Sequence, residues 1–224
     1  MTFRIFWMGL PAGGATFELH HHALVQDLIV GEAHLYTNSF VDAFYMMRNY
    51  VREDFTRASF SPQGIYIVQR ENKHHNEFTI AFDPADRLVT SIKRNRKGIE
   101  KHYFRSDNPS GLFSGAMMAL SQPLDVGKSY TFDVFTAANR YVIRFDVRRC
   151  EHIQTALGDF DAILIAPSIV YWRDGWAPKT ARNVMLWVSA DNRHLPLRLE
   201  SATMFGTFRA DLTQVSAGPD SPSP

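Results

Sequence analysis

Cysteine is nearly absent. Cys150 is the only one in 224 residues, which excludes an intramolecular disulfide. Long apolar runs are missing too. The charge-free stretches 5–17 and 108–124 are broken by Pro11 with Gly13-Gly14 in the first, and by prolines, glycines and serines in the second. Neither reads as a transmembrane helix. No charge of one sign prevails: 24 Lys and Arg against 23 Asp and Glu leave a formal net charge of +1. That balance argues against a general nucleic-acid or membrane-surface binder. No glycine-rich phosphate loop opens a helix, which disfavours a nucleotide-binding α/β fold. Arg4 is followed by too short an apolar run for an export signal, and no small-residue cleavage site follows. The chain as it stands is therefore expected to be soluble, and cytosolic or already processed.

Aromatic side chains are abundant: Phe 17, Tyr 8 and Trp 4, or 13% of residues. Ring area on that scale supplies a sizeable core. Period-2 alternation dominates the pattern. Tyr141, Ile143, Phe145 and Val147 share one face of a strand while Arg144, Asp146 and Arg148 take the other. Phe78, Ile80 and Phe82 alternate likewise, as do Leu195, Leu197 and Leu199. Turn signals separate these runs: Pro11-Ala12-Gly13-Gly14, Asp83 to Asp86, Arg96-Lys97-Gly98, Ala138-Asn139, Leu157-Gly158-Asp159, Asp191-Asn192 and Gly206. Spacing this close favours antiparallel hairpins over parallel crossovers. Two segments break the β pattern. Ser39 to Met47 reads as a short helix capped by Ser39, with Phe40, Phe44 and Met47 on one face. Gly111 to Leu120 reads as a second, with Ser110 as its cap and Leu112, Phe113, Ala116, Met117 and Leu120 at helical spacing. From Ala217 onward Gly, Pro, Ser and Asp replace the pattern. The expectation is one β-rich domain over 1–216 and a disordered tail over 217–224. Cys150, within an aromatic-rich strand, is expected to be a buried small hydrophobe.

Several fragments together resemble domain-of-unknown-function family 3108 (DUF3108), a group of mostly exported bacterial β-rich proteins. They are Gly9-Leu10-Pro11-Ala12-Gly13-Gly14-Ala15, Gln122 to Lys128, Leu157 to Ala162, and Leu186-Trp187-Val188-Ser189-Ala190-Asp191 continuing through Leu195 to Glu200 and Gly206. In order and spacing they cover roughly Phe3 to Leu212. The resemblance implies a curved antiparallel sheet, or open barrel, with one or two helices on its concave side. It also implies residence in the periplasm or envelope.

Candidate chemistry is sparse. His20-His21-His22 could offer two imidazoles from one strand face, with His74 or His75 as a third, but no acidic or Cys ligand stands at a recognised spacing. No metal or other cofactor is expected. The carboxylates Asp83, Asp86, Asp107, Asp159, Asp161, Asp191 and Glu200 sit mostly in or beside turns, which Asp favours structurally. Ser189 and Asp191 are neighbours without a nucleophile elbow around the serine. The basic run Lys93 to Lys97, continued by Lys101, His102 and Arg105, reads as solvated charge on a hairpin tip or edge strand. Its functional alternative is attraction to phosphate-bearing headgroups or glycans. No catalytic residue is assigned.

Surplus apolar side chains point elsewhere. Trp172 and Trp176 flank an Asp-Gly turn, and rings of that size fold onto something. Met46, Met47, Met117 and Met118 suit an adaptable apolar pocket. The residues expected to line a ligand site are Phe113, Met117, Trp172, Trp176, Phe44 and Met47, with the first four around one cavity. The expected function is non-catalytic binding or carriage of a lipid, acyl chain or similar molecule. A glycan-active envelope enzyme and a structural protein with a filled concavity are the competing expectations. Trp187, in an alternating strand, is expected to be buried.

Overall fold

The computed structural model describes residues 1–172, 179–181, 184–203 and 206–216. Among them, strands β1 (Thr2–Trp7), β2 (Leu10–His21) and β3 (Leu28–Thr37) precede a one-turn helix α1 (Ser39–Asp42). A meander follows: β4 (Met47–Thr56), β5 (Pro62–Glu71), β6 (His74–Asp83), β7 (Leu88–Asn95) and β8 (Gly98–Arg105). The short β9 (Pro109–Ser110) leads into α2 (Leu112–Leu120). The chain then forms β10 (Ser129–Thr136), β11 (Asn139–Thr155), β12 (Gly158–Trp172), β13 (Lys179–Ala181), β14 (Val184–Ser189), β15 (Pro196–Thr203) and β16 (Gly206–Gln214).

All sixteen strands belong to one sheet, ordered β8-β7-β6-β5-β4-β3-β2-β1-β16-β15-β14-β12-β11-β10-β9, with β13 beside β12. Every pairing is antiparallel except β9 with β10. The sheet curls but does not close. Its two ends are tied by side chains: Ser91 Oγ donates to Ala137 O at 2.6 Å, Arg140 Nη1 to Arg105 O at 3.2 Å, and Ser106 Oγ to the Asp133 carboxylate. Register breaks at Ile5/Phe6, Asp54/Phe55, Val147/Arg149 and Trp187/Val188 sharpen the local twist, as bulges do.

Alternation places the core. Val51, Phe55, Ile65, Ile67, Phe78, Ile80 and Val89 of β4 to β7 are buried together, and Phe113 and Phe135 join them. Phe3, Ala15, Leu164, Trp187, Leu197 and Leu212 form a second cluster. Leu124, Val147, Ile163, Ile165 and Val188 form a third. Two helix–sheet approaches need glycine. A Cβ on Gly31 would lie 2.4 Å from the Phe113 ring, and one on Gly111 would lie 2.4 Å from the Glu53 carboxyl.

Five expectations are corrected. The first helix is a single turn capped by Asn38, whose side chain accepts from Val41 N at 3.0 Å; Met47 begins β4 instead. Thr37, Asp42 and Arg48 bind one another there and draw the chain back into the sheet. Ser110 does not cap α2, because its hydroxyl donates to Asp133 O at 3.0 Å. Pro11 to Gly14 lie within β2, and the turn falls earlier at Met8-Gly9, where both residues have positive φ. Cys150 is exposed: β10 ends opposite Asp146, so β11 beyond it has lost a neighbour on that side. Leu112, placed on the apolar stripe of α2, is also exposed, while Ser114, Gly115 and Ala119 are buried. The segment 217–224 lies outside the described residues.

Trp187 is buried at 7% exposure, and its indole N–H donates to Glu151 Oε1 at 2.5 Å. Trp187→Ala is expected to cost about 3–5 kcal/mol, read as a lowered urea midpoint, because the surrounding cluster cannot collapse into the void. Trp187→Phe should recover most of that loss. An unchanged midpoint for the alanine variant would contradict the packing.

Candidate ligand-binding site

The site is built around α2, which nine residues alone could not hold as a helix in water. Its first turn is fixed by a residue 60 positions earlier. Glu53 is completely buried, and its carboxylate accepts from Phe113 N at 2.7 Å and from Ser114 N at 3.1 Å. Gly111 N donates to Ser114 Oγ at 2.8 Å. Three of the backbone donors at the start of the helix are thereby satisfied away from water, and the carboxylate faces the positive end of the helix dipole. Burial pushes the Glu53 carboxyl above the ordinary glutamate range, opposed by its hydrogen bonds to Ser114, Phe113 and Gly111. Phe113, held in this way, packs against Phe17 with ring centroids 6.2 Å apart.

Between α2 and the sheet lies a cavity of about 510 Å³. Phe3, Ile5, Phe17 and Leu35 wall it from β1 to β3, Phe113, Met117 and Leu120 from α2, and Phe145, Ile165, Leu186, Leu199 and Phe208 from the far strands. A second cavity of about 680 Å³ lies under α1, walled by Ile5, Trp7, Gly13, Val41, Phe44, Met47 and Phe208 among others. Both linings are almost wholly apolar. The charged side chains at the first are Arg198 and Arg209, and both address Asp211, at 2.7 Å and 3.0 Å. A third cavity, about 720 Å³ between β8 and the start of β11, is polar and includes Lys93, Glu100, Lys101, His102 and Tyr141.

The structure divides the expected lining residues. Phe113 and Met117 face the first cavity, Phe44 and Met47 the second. The backbone of Trp172 ends β12 opposite Arg140; its side chain and the whole of Trp176 lie outside the described residues. Glu53, Ile5 and Phe208 were not singled out by sequence. Glu53 carried a usable signal, since Val51, Glu53 and Phe55 share one strand face and put a carboxylate in an apolar row.

The remaining polar candidates lie away from the two apolar cavities. His20 Nε2 stands 3.9 Å from Glu32, and His22 Nδ1 accepts from Leu24 N and Val25 N. Among the described residues no three His, Cys, Asp or Glu side chains converge to hold a metal ion. Ser189 Oγ donates to Asp191 at 2.8 Å and accepts from Leu195 N, closing a turn. Arg193 and Ser189 hold the Asp191 carboxyl down at about 2. The basic run occupies the β7–β8 hairpin, with β8 at the free edge of the sheet.

A sequence profile described as a protein of unknown function (DUF3108) matches residues 2–213. The chain belongs to the DUF3108 family. No curated protein matches it. Among solved structures, this DUF3108 chain is similar to a beta-barrel-like protein of domain of unknown function DUF1849 from Brucella abortus. The TM-score is 0.59 over 94% of each chain, at 7% identity. That likeness concerns the fold alone. Among the described residues no helix is long and apolar enough to cross a membrane.

Glu53 yields a prediction in two parts. Glu53→Ala orphans the N–H groups of Phe113 and Ser114 and should cost about 1–3 kcal/mol for each donor. The pH dependence follows from the raised carboxyl value. The folded state keeps its proton where the unfolded chain has released it, so stability is greatest below the ordinary value of 4.5 and falls as pH rises through the folded value. Urea titrations across that window should show wild type losing stability relative to Glu53→Gln. Parallel curves for the two proteins would contradict the assignment.

Proposed function

We propose that this DUF3108 protein binds or carries an apolar or amphipathic molecule, a lipid or acyl chain, and does so without catalysis in the bacterial envelope. One observation carries the reading: a cavity of about 510 Å³ with an almost unbroken apolar wall, kept open beneath a helix fixed by Glu53. Protein interiors are close-packed, and a void of this size left empty forfeits contact energy. Ligand pockets typically span about 300–1,000 Å³ and are mostly apolar, with few polar groups. Catalysis on a glycan would need titratable groups converging in the cleft, whereas Arg198 and Arg209 at its wall are directed to Asp211. A filled concavity, the structural alternative, is disfavoured by the open volume. Placement in the envelope rests on family membership.

A fluorescent fatty-acid analogue is expected to bind with an emission rise. Met117→Trp, which fills the cavity from α2, should weaken binding by roughly tenfold or more, with a melting temperature close to wild type. Failure of the analogue to bind wild type, or equal binding by the variant, would refute the reading.

A further inference from the structure

We propose that the two apolar cavities are one channel, built to hold a single extended acyl chain taken in under α1. The proposal rests on the reading above and adds the shape of the ligand and its way in. Met1, Phe3, Ile5 and Trp7 alternate along one face of the first strand. The first three line the cavity beneath α2, and Ile5 and Trp7 line the one beneath α1. Ile5 and Phe208 belong to both walls. Strand pairing shows why: Trp7 lies opposite Phe208 and Ile5 opposite Ala210 on one side, and Ile5 lies opposite Gly13 on the other. The second cavity thus continues the same concave face.

Length and width both select the occupant. Six residue steps from Met1 to Trp7 span about 20 Å at strand rise. One leaflet of a bilayer places its chains across about 15 Å, half of a ~30 Å hydrocarbon core. Small residues stand beside the shared Ile5: Ala15 and Ala210 line the first cavity and Gly13 the second. A compact apolar molecule would occupy one chamber and leave the other empty. An unbranched chain fills both.

The opening is at α1. This one-turn helix buries none of its residues, so it covers the channel without belonging to the core. Phe44, just beyond it, lines the channel and is 74% exposed. A polar clasp stands beside it, where Arg48 Nη2 donates to Asp42 Oδ2 at 2.6 Å and Thr37 Oγ1 donates to Asp42 Oδ1 at 2.5 Å. A polar headgroup would rest at this end, in water, with its chain running inward.

Displacement of the fluorescent analogue by octanoate and by palmitate tests the channel. Wild type should bind palmitate far more tightly than octanoate. Val41→Trp, which fills the chamber under α1 from a helix without buried residues, should weaken palmitate roughly tenfold while octanoate stays within twofold. Met47→Trp fills the same chamber from β4 and should give the same pattern, so that a folding defect in one variant does not decide the result. Equal losses for the two chains, or none for either, would overturn the channel and leave binding beneath α2 standing. If neither fatty acid nor the analogue binds wild type, both readings fall.

Discussion

A carboxylate with no exposure to water, set among phenylalanines, is costly to fold unless something answers its charge. In this protein the answer is the start of a helix. Glu53 takes the amides of Phe113 and Ser114, one on each carboxylate oxygen. The exchange fixes the position and axis of α2 against β4, and so decides where Phe113 and Met117 project. Without it, the helix would be a short apolar segment free to sink onto the sheet and fill the space beneath it.

The glycines on either side show how closely this arrangement is fitted. Gly111 admits the carboxyl to the helix start, and Gly31 admits the Phe113 ring to the strand. Side chains at either position would push the helix outward or turn the ring aside. The open volume between helix and sheet is therefore a fixed spacing, set by one polar contact and two close approaches. It is not a region where packing has simply failed.

Much of the architecture could be read from the chain. The alternation of Tyr141 to Val147 and of Phe78 to Phe82 specified strands, and most turn residues fell where the hairpins turn. What escaped was long-range in origin. Ser110 has the right chemistry for a helix cap, yet the hydroxyl is committed to β10 while a residue 60 positions away takes the capping role. Ser39 to Met47 has helical spacing, but the Asp42–Arg48 pair closes the segment after one turn. Cys150 has a strand's pattern around it and loses its cover because β10 is shorter than β11. At the candidate site, local spacing found Phe113 and Met117. The opposite wall, Ile5 and Phe208, exists only because β1 and β16 pair across the length of the chain.

The open seam of the sheet has a mechanical meaning. A closed barrel has its girth set by strand number and shear, and widening it means breaking a ladder of backbone hydrogen bonds. Here the edges, β8 and β9, are joined by the chain itself through residues 106–108 and by side chains, with Ser91, Ser106 and Arg140 reaching across to the neighbouring strands. At this seam no ladder of backbone hydrogen bonds joins β8 to β9 among the described residues. The girth at this point is set by side chains and by a short length of chain, not by strand register.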